Sequence, residues 1–180
     1  MLCKKLHHAA FRCKSAKETV DFYTNMLGLK FSHAMGEDMV PSTGKYDPHI
    51  HIFFEMEDGS SIAFFEVPGA PGNIKDVESP DWIQHFAFEV ESLEILMKAK
   101  EDLIKKGLEV VGPTDHDDFI TSIYFFDPSG HRLELTARTC SPERYKAFEE
   151  EAPRVLALWE QTGDWSKRAE LFGGSTGYKR

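Results

Sequence analysis

Two stretches of the chain repeat one pattern, and this repeat constrains the fold more than any local propensity does. In the first, His8-Ala9-Ala10-Phe11 opens a strand, Lys17 to Leu27 has the spacing of an amphipathic helix, and Gly28-Leu29-Lys30-Phe31 starts the next strand. In the second, His85-Phe86-Ala87-Phe88 opens a strand, Leu93 to Lys106 reads as a helix, and Gly107-Leu108-Glu109-Val110 begins the next. A glycine directly after each helix is a C-cap signal. Each copy continues with two more strand-like segments. These are residues 49–56 and 61–67, turning at Glu57-Asp58-Gly59, and residues 121–126 and 131–137, turning at Pro128-Ser129-Gly130. The expected class is α+β, with two βαβββ modules at residues 4–68 and 80–138 and a C-terminal helical extension and tail over 139–180.

The join between copies, Pro68-Gly69-Ala70-Pro71-Gly72-Asn73, is rich in turn formers. Residues 32–48 carry Gly36, Pro41, Gly44 and Pro48 and read as a long mixed loop, a place where function often resides. Beyond Thr139 the repeat stops. Ser141 as N-cap with Pro142 in the first turn starts a helix expected to reach about Gln161. Along it Phe148, Ala152, Val155, Leu156 and Trp159 form an apolar stripe that asks for burial, and the last dozen residues read as poorly ordered.

Twenty-one basic against thirty acidic residues leave a net charge of −9, so no basic stripe invites a nucleic acid. No apolar run approaches the roughly 20 residues a membrane span needs, and the N-terminus lacks a signal-peptide core. Cys3, Cys13 and Cys140 are odd in number and widely spaced, which suits reduced thiols and a cytoplasmic protein.

The chemistry lies in histidines and glutamates. His8 alternates with Ala10 and Arg12 on one strand face, and His85 with Ala87 and Glu89; the phenylalanine-rich faces opposite call for the helices. His7 falls on the other face and is the weaker candidate. Glu66, following Phe64-Phe65, and Glu134, between Leu133 and Leu135, sit in strands too apolar for an unpaired carboxylate. One such histidine reads as a satisfied core residue. Four such residues in the order His8, Glu66, His85, Glu134 read as a duplicated metal half-site for a divalent first-row metal, with Glu66 the candidate fourth ligand.

At these residues the chain resembles the vicinal oxygen chelate superfamily: glyoxalase I, type I extradiol ring-cleaving dioxygenases, methylmalonyl-CoA epimerase and bleomycin-binding proteins. The resemblance spans roughly residues 4–138. It implies a curved mixed sheet from the two modules around a metal-binding cavity, and dimers are common among its members. The run His116, Tyr124, Asp127-Pro128-Ser129-Gly130 and Glu134 matches the ring-cleaver signature, whereas His8, Glu66, His85 and Glu134 match the glyoxalase I ligand order. Ring cleavers generally use only His8, His85 and Glu134, and place an acid/base histidine where this chain has Ser60-Ser61; His51, or His49, is the candidate substitute.

The leading expectation is an Fe(II) extradiol-type dioxygenase opening a catecholic ring with dioxygen, as in aromatic-compound catabolism. Mn, Zn, Ni and Co are the alternative metals. In that reading His116 and Tyr124 hydrogen-bond substrate oxygens, His51 is a base, Arg12 meets an anionic substrate, and Phe53, Phe64 and Phe126 form apolar walls. The runner-up is a glyoxalase-like lyase or isomerase working through a metal-bound enediolate. A third reading, a metal-free protein that sequesters a flat apolar ligand, gives the four ligand-type residues nothing to do.

Overall fold

A computed structural model describes residues 5–70, 79–80, 82–116 and 119–162 of the chain. The first βαβββ copy comprises β1 (His8–Arg12), α1 (Ala16–Asn25), β2 (Lys30–Met39), β3 (Tyr46–Glu55) and β4 (Ser61–Glu66). The second comprises β5 (His85–Val90), α2 (Leu93–Lys105), β6 (Val111–His116), β7 (Ile120–Phe126) and β8 (Arg132–Arg138), after which α3 runs Pro142–Thr162. Each copy builds its own four-stranded sheet, ordered β1-β4-β3-β2 and β5-β8-β7-β6. The first is mixed: β1 lies parallel to β4, while β4, β3 and β2 are antiparallel in turn.

By packing, the chain divides into two units. One holds residues 1–86, 103–109 and 125–133; the other holds 87–102, 110–124 and 134–180. In the first unit, α1 begins at Ser15, whose side chain accepts from Glu18 N–H. It lays Tyr23 against the sheet, stacked on Phe54 at 5.0 Å and tilted against Phe64 at 5.0 Å. Tyr23, Phe54 and Phe64 have no exposed surface, and burying three such rings is a large apolar contribution to this unit. The Tyr23 hydroxyl donates to Asp127 at 3.2 Å. Burial, then the Asp127 charge, pushes the Tyr23 hydroxyl well above its ordinary value. Burial likewise raises the Asp127 carboxyl, although His131 beside it pulls the other way.

Residues 32–48, expected as a loop, are mostly strand. β2 and β3 form a hairpin with Glu37 opposite His49 and Met39 opposite Tyr46. The turn-forming residues are absorbed locally. Pro48, without a donor, sits beside a register shift between Glu37 and Met39, and Gly44 takes a positive φ of 68° where the turn closes on Val40 O. The outer strand thus survives residues that normally punctuate a loop.

In the second unit Ile123, Leu135 and Ala137 are buried on one face of the sheet, alternating with Ser122, Tyr124, Glu134 and Thr136 on the other. The start of α3 packs here: Tyr145 stacks on Phe119 at 5.6 Å under the Arg138 guanidinium, and Phe148 meets Phe119 edge-on at 5.0 Å. The stripe is not covered throughout, since Leu156 and Trp159 remain more than half exposed in this chain. The tail beyond residue 162, residues 71–73 of the join, and Cys3 lie outside the described residues. Cys13 and Cys140 are free thiols, Cys13 buried and its thiol pushed up by that burial, as fits a packing residue. Among the described residues no helix is long and apolar enough to cross a membrane.

Tyr145→Ala removes a ring stack and a cation–π contact and is expected to cost about 1–2 kcal/mol in chemical denaturation. Unchanged stability would mean that α3 does not dock through this cluster.

Candidate functional site

The two β-turns before β4 and β8 settle which residues of the copies correspond. Met56 N–H donates to Ser60 O at 2.9 Å, and Asp127 N–H donates to His131 O at 3.0 Å. Gly59 and Gly130 hold the same place in these turns, with φ of 73° and 95°. Counting from them, Ser61 corresponds to Arg132, Ala63 to Glu134 and Phe65 to Thr136; in the preceding strand, His51 corresponds to Ser122 and Phe53 to Tyr124. The structural counterpart of Glu134 is therefore Ala63, not Glu66. The signal was present in the sequence, because both residues lie four positions after the turn glycine.

Glu66 has another role. Strand alternation puts Ile62, Phe64 and Glu66 on the face that packs on α1, not toward a cavity. The Glu66 carboxylate accepts from Ala16 N–H at 2.5 Å, satisfying an orphan donor in the first turn of α1 and lying at the positive end of the helix dipole. Phe64, expected as a cavity wall, is likewise a helix-face core residue.

The opposite face of the first sheet gathers imidazoles and aromatic rings. His8 lies edge-on to Phe53 at 5.4 Å and to His51 at 6.0 Å; His33 is tilted on Phe53 at 5.7 Å. His51 stacks on Phe65 at 3.7 Å and 17°. Its imidazole pKa is lowered to about 4, by burial first and then by the neighbouring His8, His49 and His33. Its Nε2 is buried and has no hydrogen-bond partner among the described residues.

His8 and His85 are exposed on their strands, with Nδ1 engaged in each. His8 Nδ1 pairs with His7 Nδ1 at 2.8 Å, and His85 Nδ1 donates to Ile83 O at 3.0 Å. Because Ile83 O can only accept, His85 Nδ1 is the donor there, which leaves the lone pair a metal takes on His85 Nε2. Arg12 is half-buried at the end of β1, where its backbone carbonyl accepts from His131 Nε2 at 2.8 Å. Phe126, at the end of β7, is about half exposed (48%).

In the second unit Glu134 is buried, and the Ser122 hydroxyl, itself 3.0 Å from the Thr136 hydroxyl, donates to it. His116 Nε2 and the Tyr124 hydroxyl share a hydrogen bond of 2.8 Å. This bond orients the Tyr124 hydroxyl, which keeps a further hydrogen-bonding position. Among the described residues no three His, Cys, Asp or Glu side chains are gathered tightly enough to hold a metal ion. The donor types do fit one: two imidazoles, and a carboxylate oriented by a hydroxyl.

Residues 5–135 match the model of the Glyoxalase/Bleomycin resistance protein/Dioxygenase superfamily. The uncharacterized protein YwkD of Bacillus subtilis is 29% identical over 137 residues, 75% of this chain and 98% of that one. The fold is similar to that of a glyoxylase/bleomycin resistance protein/dioxygenase domain from Frankia, with TM-score 0.60, 22% identity, and 76% and 98% of the two chains covered. It is also similar to the oxidase ChaP-H2, with TM-score 0.53, 25% identity, and 76% and 95% covered.

Two outcomes follow from this geometry. Glu66→Ala should cost about 1 kcal/mol of stability through the lost cap while leaving metal content at the wild-type level, read by denaturation and by metal analysis. Loss of the metal in that variant would return Glu66 to the ligand set. For His51 the unfolded chain takes up its proton near 6.5 and the folded chain only near 4, so stability falls as pH drops through that window. His51→Phe should flatten that fall; an unchanged slope of denaturation midpoint against pH would contradict it.

Proposed function

Because the chain belongs to the Glyoxalase/Bleomycin resistance protein/Dioxygenase superfamily, whose members typically bind a divalent metal, we propose that it is a metal-dependent dioxygenase of the extradiol type. Its substrate would be an aromatic with adjacent hydroxyls, and the protein would work in the cytoplasm, where Cys13 and Cys140 stay reduced. The observation that carries this reading is the capture of Glu66 at the start of α1. With Glu66 engaged there and Ala63 at the place corresponding to Glu134, the candidate donors are His8, His85 and Glu134. Two histidines and one carboxylate form the set that leaves positions open for oxygen chemistry. The glyoxalase-like reading needs Glu66 as a fourth ligand, and the cap works against it.

His8 and His85 would hold the metal through Nε2 and Glu134 through its carboxylate, with Fe(II) the best-suited ion and Mn, Zn, Ni or Co as alternatives. What such a metal supplies when bound is Lewis-acid binding of paired hydroxyl oxygens and activation of dioxygen. The chain's own groups do the rest. Ser122 keeps one Glu134 oxygen in place by donating to it. The His116–Tyr124 pair hydrogen-bonds a substrate oxygen and relays its proton. His51, neutral across the physiological range, would accept a hydrogen bond from a substrate hydroxyl. Arg12, at the end of the His8 strand, would meet a substrate hydroxyl as it ionises.

Anaerobically iron-loaded protein should consume oxygen with a panel of catechols and release yellow ring-opened products. His8→Ala, His85→Ala and Glu134→Ala should lose the metal, whereas Tyr124→Phe and His116→Ala should keep it and slow turnover about 10–100-fold. An absence of oxygen uptake, together with turnover of a methylglyoxal–glutathione adduct by nickel- or zinc-loaded protein, would replace this reading with the lyase.

A further inference from the structure

Within the first unit, the β2–β3 hairpin and the end of β4 enclose a cavity of about 440 Å³. That volume lies in the range of small-molecule sites and exceeds what one benzene ring fills. Most of its lining is apolar, including Met35, Val67 and the Phe65 ring stacked with His51. Flat aromatic ligands suit such walls, through ring packing on Phe65 and thioether contact with Met35.

Two further observations narrow the ligand. His51 lines the cavity with a buried Nε2 that has no hydrogen-bond partner among the described residues. A buried polar atom in that state is costly, and a ligand hydroxyl supplies the missing bond. Around the same cavity stand two carboxylates. Asp47 is paired with Lys45 at 3.2 Å, while the contact of Glu37 with His49 is only 4.0 Å. Glu37 thus brings negative charge to the cavity in a chain that is acidic overall, and a ligand carboxylate placed there meets like charge.

We propose that this cavity binds an uncharged, hydroxylated fused-ring aromatic of the naphthol class, its hydroxyl bonded to His51 and its rings against Phe65 and Met35, and that Glu37 discriminates against carboxylated aromatics. The inference deepens the dioxygenase reading, since it gives that site's substrate a size and a charge. The cavity's lining lies within one unit, and none of the proposed metal donors belongs to it.

The test uses the full chain stripped of metal with a chelator and titrated with 2-naphthol, followed by its fluorescence. Saturable binding at one site per chain is expected, with 6-hydroxy-2-naphthoate at least about tenfold weaker. His51→Ala should weaken 2-naphthol about tenfold or more, and His51→Gln, which restores a donor and an acceptor, should recover part of the loss. Glu37→Gln should narrow the gap between the neutral and carboxylated ligands. No saturation, equal affinity for the two ligands, or an affinity unaffected by His51→Ala would overturn the proposal. Binding of 2-naphthol by a protein that consumes no oxygen with any catechol would keep this cavity and sink the dioxygenase reading. Oxygen uptake with monocyclic catechols alone, without naphthol binding, would do the reverse.

Discussion

The hydrogen bond from Ala16 N–H to the Glu66 carboxylate ties the last residue of β4 to the first turn of α1. A strand has only two faces, so committing Glu66 to the helix commits Phe64 and Ile62 with it and turns Ala63 and Phe65 the other way. Phe64 then packs on Tyr23, and Phe65 becomes the ring on which His51 stacks. A one-residue slip of β4 would reverse every one of these assignments. The helix cap, the aromatic core under α1 and the histidine-lined face are consequences of one register.

The duplication is regular in backbone and uneven in chemistry. Corresponding positions carry His51 and Ser122, Phe53 and Tyr124, Ala63 and Glu134, Phe65 and Thr136. In the second sheet this face is polar and self-satisfied: Ser122 bonds to Glu134 and Thr136, and Tyr124 to His116. In the first it is aromatic, with a buried His51 nitrogen that has no hydrogen-bond partner among the described residues. One copy thus carries a hydroxyl-bonded carboxylate and the His116–Tyr124 hydrogen bond, and the other a face of imidazoles and aromatic rings.

The fold was legible because its signals are periodic and local. Helix patterns followed by Gly28 and Gly107, and strands turning at Gly59 and Gly130, mark the helices and the closing β-turn of each copy. The sheet order was not legible, because the parallel pairing of β1 with β4 is non-local. The β2–β3 hairpin was hidden by Gly36, Pro41, Gly44 and Pro48, whose effects are confined to a turn and a register shift. Glu66 misled for a different reason. Its composition context, a carboxylate after two phenylalanines, is the same for a ligand and for a helix cap, and only the spacing from the turn glycine tells them apart.

The proposed dioxygenase site depends on which carboxylate would bind the metal, and diffraction from iron-loaded crystals at the iron absorption edge reads this directly. The expected map has one anomalous peak per chain bonded by the Nε2 atoms of His8 and His85 and by Glu134, with Glu66 still hydrogen-bonded to Ala16 N–H. A peak bonded by Glu66, with the first turn of α1 uncapped, would contradict the three-ligand site and the oxygen chemistry built on it.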